Sequence, residues 1–467
     1  ATLNLNNGTS LDVEGGTLML DSAAIALGNA VNGTVNLTGY GTLNSSSALK
    51  AAYAGTSVNA TIGLDSSGNA EELRLEAPIS GTAKLVKNGA GTLLLPTVQG
   101  YTDGTVVNAG TLVLTENGTL GSGSATVNAN GTLEIDSPAS GNVSFGNALL
   151  GTGLLKVGLA SGTNTFDFAS SAGTAFAGTV ELNDGTFSLS GTNTAVLGNS
   201  TLRLNAGSTT NVGAGTQAVG NMELNGGLLR FPNLPTGVIQ TGVLNLGSGT
   251  VQVNADTSAI SAKPLLQQDD GNTNQLLIGA NTVQGSASNL VLQDLSGSVS
   301  GTVQSNVQQD GNTVAVASYA YGLTSVSDSP GNNGLFTSYR LTQLDLQNNR
   351  TLTLSGDATT PAGANDMKAK ITGSGNLAID ATGTIILANA NNDYSGNTSV
   401  NTGTLQLGTD HALGNTSLLT IADGASTDIN GKTQTVDSLV GAGSLNVNGG
   451  NLTVSNGGYF SGVMSGN

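Results

Sequence analysis

The 467 residues carry 30 acidic and 13 basic side chains, and a net charge of −17 argues against a nucleic-acid partner, which is held by clustered Lys and Arg. With no cysteine there is neither disulfide nor thiolate ligand, and no apolar run reaches the roughly 18 residues of a membrane-spanning helix. The 69 glycines and 9% charged residues could suggest a disordered polar tract, but the 37% apolar residues fall in period-two alternation, which that class lacks.

The chain opens on a strand pattern, ATLNLNNGTSLDVEGGTLML, with no basic leader and no apolar signal core, so any export signal is expected to have been removed. Inward apolar positions then recur at Leu3, Leu5, Leu11, Val13, Leu18, Leu20, Val35, Leu37 and Leu43. The charged run EELRLE at 71–76 reads as a solvated strand face with Leu73 and Leu75 inward. From residue 79 the pattern becomes a repeat. Ile79, Gly91, Tyr101, Val107, Leu112, Leu114 and Leu120 return as Ile371, Gly383, Tyr394, Val400, Leu405, Leu407 and Leu413, and Gly-Thr-(Leu/Ile) recurs every 19 to 21 residues. Three strands of about five residues with three Gly- or Asn-rich turns use up that step, so one step is one coil of a solenoid whose coils bury their apolar side chains on each other. The expected fold is all-β: a single right-handed, three-sided parallel β-helix with protruding loops and β-hairpins, in which no helix-forming run appears.

Residues 1–255 are read as rungs, with longer corners near 136–180 and a protruding loop at 230–237, RFPNLPTG, whose two prolines cannot sit in a ladder. Residues 256–345 read as an excursion of antiparallel hairpins, one around Asp270 and one around Asp310, because Asp-Gly between apolar or β-branched arms is a hairpin signal. From 346 to 467 the rungs resume.

Residues 79–135 and 371–452, with GSGNLAI, YSGNTSVNTGTLQL and DHALGNTSLLTI, resemble the passenger-associated repeats of classical autotransporters of Gram-negative bacteria. GLFTSYRLTQLDLQNNRTLTL and NGKTQTVDSLVGAGSLNVNGGNLTV resemble passengers of the AIDA-type adhesin group. The resemblance implies a passenger that is exported through the periplasm and outer membrane and displayed at the bacterial surface. It also implies a C-terminal outer-membrane barrel, absent from this chain, which is expected to stop short of it. Such passengers bind host matrix protein or surface glycan, including glycosaminoglycan, or associate with one another in aggregation and biofilm.

Enzymatic readings find little support. No Gly-Asp-Ser-Gly nucleophile setting occurs, LDSSG at 64–68 and SDSPG at 327–331 read as turns, and the sole histidine, His411, lies in a repeat. A polysaccharide-cleaving solenoid needs paired carboxylates on one face, and without tryptophan there are few platforms for sugar rings. Asp269-Asp270-Gly271-Asn272 lacks the later ligands of a calcium loop, and Asn-Gly-Thr at Asn7, Asn32, Asn117 and Asn130 reads as turn chemistry. No cofactor or metal is expected. Because rungs are committed to stacking, a ligand site is expected where the repeat breaks, at Arg230, Phe231, Lys263, Asp269, Asp270, Asp310, Tyr319, Tyr321 and Arg340. There Arg and Lys would pair with acidic groups of a glycan, and Tyr would stack on its rings.

Overall fold

The computed structural model describes residues 1–137, 141–169, 175–255, 263–269, 273–299, 301–325, 332–356 and 365–466. The fold is a β-solenoid of about 20 turns, 63% strand and 3% helix. The chain divides into two compact units: Ala1–Asn254 with Leu276–Val299 and Gly331–Leu335, and Ala255–Gln275 with Ser300–Pro330 and Phe336–Asn467.

In the first unit, strands pair in parallel with strands one sequence period away. One column of inward side chains runs Leu93, Leu112, Leu133, Leu155, Val180, Leu202, Met222 and Leu244, each opposite the next in register. All are fully buried. Alternation in each strand puts the neighbouring residue outward, so register and burial enforce each other: a slip by one would turn the column to water. The rungs continue through the stretch where the sequence period loosens. There Phe166 and Phe187 stack with ring centroids 6.2 Å apart, and Phe168 meets Phe166 edge-on at 5.0 Å, so an aromatic column on neighbouring strands fills the core beside the aliphatic one.

Two features of this unit depart from the sequence reading. A short helix, Gly191–Leu197, stands between the strands Gly185–Leu189 and Thr201–Asn205. It is held by buried Asn193, whose amide accepts from Phe168 N at 2.8 Å and donates to Asp167 Oδ1 at 2.8 Å and Ser188 O at 2.7 Å. The 230–237 segment is not wholly a loop: Arg230 and Phe231 end the strand Thr216–Phe231, and Leu234 folds back into burial. The first expected hairpin is centred on Asp270 and Gly271, between residues of the second unit. Leu265–Gln267 is a 3-10 turn, and 278–285 of the strand Thr273–Gly285 pairs in parallel with 239–246 as an ordinary rung. Asp270 itself lies outside the described residues.

In the second unit, Thr302–Gln309 and Asn312–Thr324 form an antiparallel hairpin turning at Asp310, and the second arm pairs antiparallel with 336–346. Residues 343–346 then pair in parallel with 370–373, and the rungs proceed to 463–465.

The repeat landmarks have structural reasons. Tyr101 and Tyr394 are fully buried, and each hydroxyl meets the threonine four residues on, Thr105 at 2.6 Å and Thr398 at 2.8 Å. Burial pushes the Tyr101 phenol up to about 12. Gly110 and Gly403 hold positive φ (68° and 72°), and a Cβ there would lie 2.3 Å from Gly91 O and 2.6 Å from Ala381 O. Lys87 is an oddity within the first copy. It is fully buried, and its ammonium donates to Asn88 O and Gly89 O at 2.8 Å and Ala109 O at 3.1 Å, with no carboxylate among these partners. Ile379 takes the matching place in the second copy.

Replacing Leu112 by Asp should destabilise the first unit by about 4 kcal/mol or more, through the lost side chain and a buried charge. Urea unfolding reads it, and an unchanged midpoint would place Leu112 outside the core. Desolvation lowers Lys87 from 10.5 to about 8. Between those values the unfolded chain binds more protons than the folded one, so this group's contribution to stability rises with pH across that window. The stability of the parent relative to Lys87→Ile should therefore climb from pH 8 to pH 10.5; a flat difference would contradict the burial.

Candidate functional site

The sequence-predicted residues fall in both units. In the first, Arg230 points outward in a row with Asn211 and Gln252, and Gln252 continues it to Gln293. The amides of Gln252 and Gln293 meet at 2.9 Å. The Arg230 guanidinium reaches Leu295 O at 3.4 Å, and its Nε is buried without a hydrogen-bond partner. Among the described residues no carboxylate pairs with it. Phe231 alternates to the other side of the strand and is 0% exposed. It is core, which removes it as a stacking platform for a ligand.

In the second unit, residues 263–269 act as a strap. Gln268 accepts from Tyr319 OH at 2.7 Å, its amide donates to Lys263 O at 2.6 Å, and its carbonyl accepts from Leu341 N at 2.7 Å. Buried Asp269 accepts from Lys368 N at 2.5 Å. Two residues expected to meet a ligand, Asp269 and Tyr319, are thus spent on tying the hairpin sheet to the strap and to a later rung. Burial pushes the Tyr319 phenol up to about 12. Tyr321 is buried too and stacks on Tyr339, centroids 5.8 Å apart. Their burial answers their apolar rings, which finish the hairpin sheet as the Leu columns finish the rungs. Lys263 is half-buried on the strap, Asp310 is exposed at the hairpin turn with φ 50°, and Arg340 is exposed opposite Ala320. The excursion therefore keeps Asp310 and Arg340 open to solvent and buries the aromatics.

Sequence reasoning missed a charged row on the surface of the first unit. Glu134, Lys156, Glu181, Arg203 and Glu223 stand opposite one another in successive strands, alternating in sign. Lys156 meets Glu134 at 2.7 Å, and Arg203 bridges Glu181 at 2.8 Å and Glu223 at 2.6 Å. Hydrogen bonds to these carboxylates raise both bases above their ordinary values. The signal was there, as opposite charges spaced 20 to 25 residues apart, but it lies across the stretch where the glycine period breaks. Amide ladders accompany it: Asn128 donates to Asn108 and Asn108 to Asn88, at 2.7 and 2.8 Å, and Asn225, Asn205 and Asn183 repeat the arrangement at 2.7 Å. A hollow of about 260 Å³ is lined by Leu114, Leu120, Ile135 and Phe145, but its polar rim is engaged, Glu116 by Arg74 and Asn147 by Gly121 O and Gly123 O. The sole histidine, His411, serves an exposed turn with φ 55°. Among the described residues no group of three or more His, Asp or Glu is placed to hold a metal.

Residues 85–114 and 382–407 match the passenger-associated-transport-repeat family, and these are the segments built on Tyr101 with Gly110 and on Tyr394 with Gly403. They support an autotransporter-like passenger. The chain is 34% identical to the lipoprotein YdeK of Escherichia coli (strain K12), over 100% of its own length and 38% of that protein. It is 37% identical to protein YuaQ of the same strain, over 74% of this chain and 26% of that one. The adhesin BmaC autotransporter of Brucella suis biovar 1 (strain 1330) is 40% identical over 106 residues, 21% of this chain and 3% of that protein. The chain thus spans well under two thirds of these relatives. No solved structure matches it significantly.

Truncating Tyr319 to Phe should leave Gln268 Oε1 without its hydroxyl partner and cost about 1 kcal/mol, while Asp269→Ala should cost more by freeing the strap. Limited proteolysis of the 263–269 segment is the measurement. Equal resistance of both variants and the parent would show that the strap is held by something else.

Proposed function

We propose that this chain is the displayed, non-catalytic part of an exported adhesin-like surface protein, binding host matrix protein or an acidic glycan such as a glycosaminoglycan. The observation that carries the reading is the pair of passenger-associated-transport repeats folded as stacked rungs, and the likeness to an autotransporter adhesin agrees with it. The AIDA-type likeness of 334–354 and 430–454 belongs to the same reading, as does export through the periplasm and an outer-membrane barrel. The rungs offer little chemistry of their own, since Arg74, Lys84, Lys156, Arg203 and Lys370 are each paired with a carboxylate. Arg230 and Arg340 have no such partner among the described residues. A guanidinium without a carboxylate is free to take a sulfate or carboxylate in bidentate fashion, and charge-assisted bonds of that kind outweigh neutral ones.

Arg230→Ala and Arg340→Ala, tested singly with melting confirmed unchanged, should each weaken attachment to a glycosaminoglycan surface about tenfold at low salt. Raising the salt should narrow the difference. Parent-like attachment by both variants would remove these arginines from the site. A parent that attaches to neither glycosaminoglycans nor matrix proteins would end the adhesive reading.

A further inference from the structure

The strand Thr302–Gln309, TVQSNVQQ, is an edge. Its backbone pairs with 312–320 on one side, and among the described residues no backbone bond is made on the other. Its remaining contacts are by side chains, Gln304 to Ser318, Gln308 to Thr313, and Gln309 to Thr353. Exposed edges are ordinarily blunted with Lys, Pro or short length, because unpaired N–H and C=O groups template another strand. This edge runs for 8 residues with no charge and no proline, and its one irregularity falls between Val307 and Gln308, at the turn end.

Val303, Ser305 and Val307 stand opposite Tyr319, Ala317 and Ala315, all three buried, yet are themselves only half-buried. The buried face of the hairpin thus ends on a partly covered row. We infer that this edge pairs with the same edge of a second copy of the chain, antiparallel, about a two-fold axis through Ser305. The strand is self-complementary in that register: Val303 falls opposite Val307 of the copy and Gln304 opposite Asn306, and the half-buried positions 303, 305 and 307 share one face, as continuous pleating requires. Charge points to the same place. In a chain of net charge −17 most surfaces repel their copies, and a neutral strand is where two can approach. One pair of short strands buries far less than a stable dimer interface, so the contact is weak singly and gains its strength where many copies stand side by side.

This inference is independent of ligand binding, and its test separates the two. Sedimentation of the parent should show weight-average mass rising with concentration toward twice the monomer. Ser305→Lys and Ser305→Glu, each with unchanged melting, should stay monomeric alone, because like charges meet on the axis, and an equimolar mixture should recover association. Ser305→Cys adds a reading on a chain that has no other thiol. Directly opposed residues lie within disulfide reach, so mild oxidation should yield a covalent dimer faster than it does for Ser66→Cys on an exposed turn. Ligand attachment by Ser305→Lys should remain at the parent level. A parent that stays monomeric throughout, charge variants that associate like the parent, or a Ser305→Cys dimer no faster than the control would each overturn the inference.

Discussion

Each rung must turn its corners while lying one strand spacing from its neighbour, and the rest of the structure depends on how that close approach is made. At the corners the carbonyl of the rung beneath points at the Cα above. A Cβ at Gly81 would lie 2.0 Å from Ala51 O, at Gly151 2.1 Å from Val127 O, at Gly373 2.3 Å from Leu346 O and at Gly441 2.0 Å from Ile421 O, all with positive φ. No other residue satisfies both the dihedral and the contact. Glycine at these corners is therefore what lets the strands come into ladder distance, and the Leu, Val, Ile and Phe columns can close only once they do. The glycine content that resembles disorder in the composition is the condition of order in the fold.

Stacking in register has an electrostatic side. A column of identical acids one strand apart would repel, so a chain with this excess of acids needs either solvent-separated carboxylates or alternation. The row from Glu134 to Glu223 alternates, and each base neutralises acids of neighbouring rungs. Partly exposed pairs of this kind are worth about 0.2 to 1 kcal/mol each. Their greater effect is on register, since sliding a strand by one residue would place each charge opposite a partner that alternates to the core. Amide ladders hold register without charge, because Asn both donates and accepts and can stack on its own kind.

The rungs were legible in the sequence because a buried alternating strand and its Gly corner leave a period that needs no tertiary information. Tyr101 and Tyr394 were visible as landmarks but not as buried residues hydrogen-bonded to Thr105 and Thr398, since nothing local distinguishes a tyrosine packed inward from one displayed. The same ambiguity affects the reading of the 230–237 loop and of the excursion. Phe231, Tyr319 and Tyr321 drew attention as aromatics in a chain with few, yet rarity is also what a sheet needs to close a small apolar face. Asp270 reads as a hairpin turn on its Asp-Gly signal and lies outside the described residues. Beyond it, residues 278–285 pair in parallel with 239–246, far away in the chain, and the pairing of a strand with a distant strand is the part of a fold that local pattern does not encode. The short helix at 191–197 escaped notice for a related reason: its Asn193 is chosen for Phe168, Asp167 and Ser188, not for helical periodicity.

The division of labour between repeat and excursion follows from these constraints. A rung residue is answerable to the rungs on either side, so a change there must be matched in register, and chemistry that needs an unpaired group has little room. Among the described residues the backbone of the hairpin arm 302–309 pairs with one strand, and only Gln309 reaches a further one, at Thr353. The arm can therefore keep backbone groups and a half-covered Val303–Ser305–Val307 row that a rung would have to satisfy internally, at the risk of unwanted pairing that a charge or a proline would have prevented. Neither is present here, in a chain otherwise rich in acids, and that is the ground on which the edge is inferred to receive another strand.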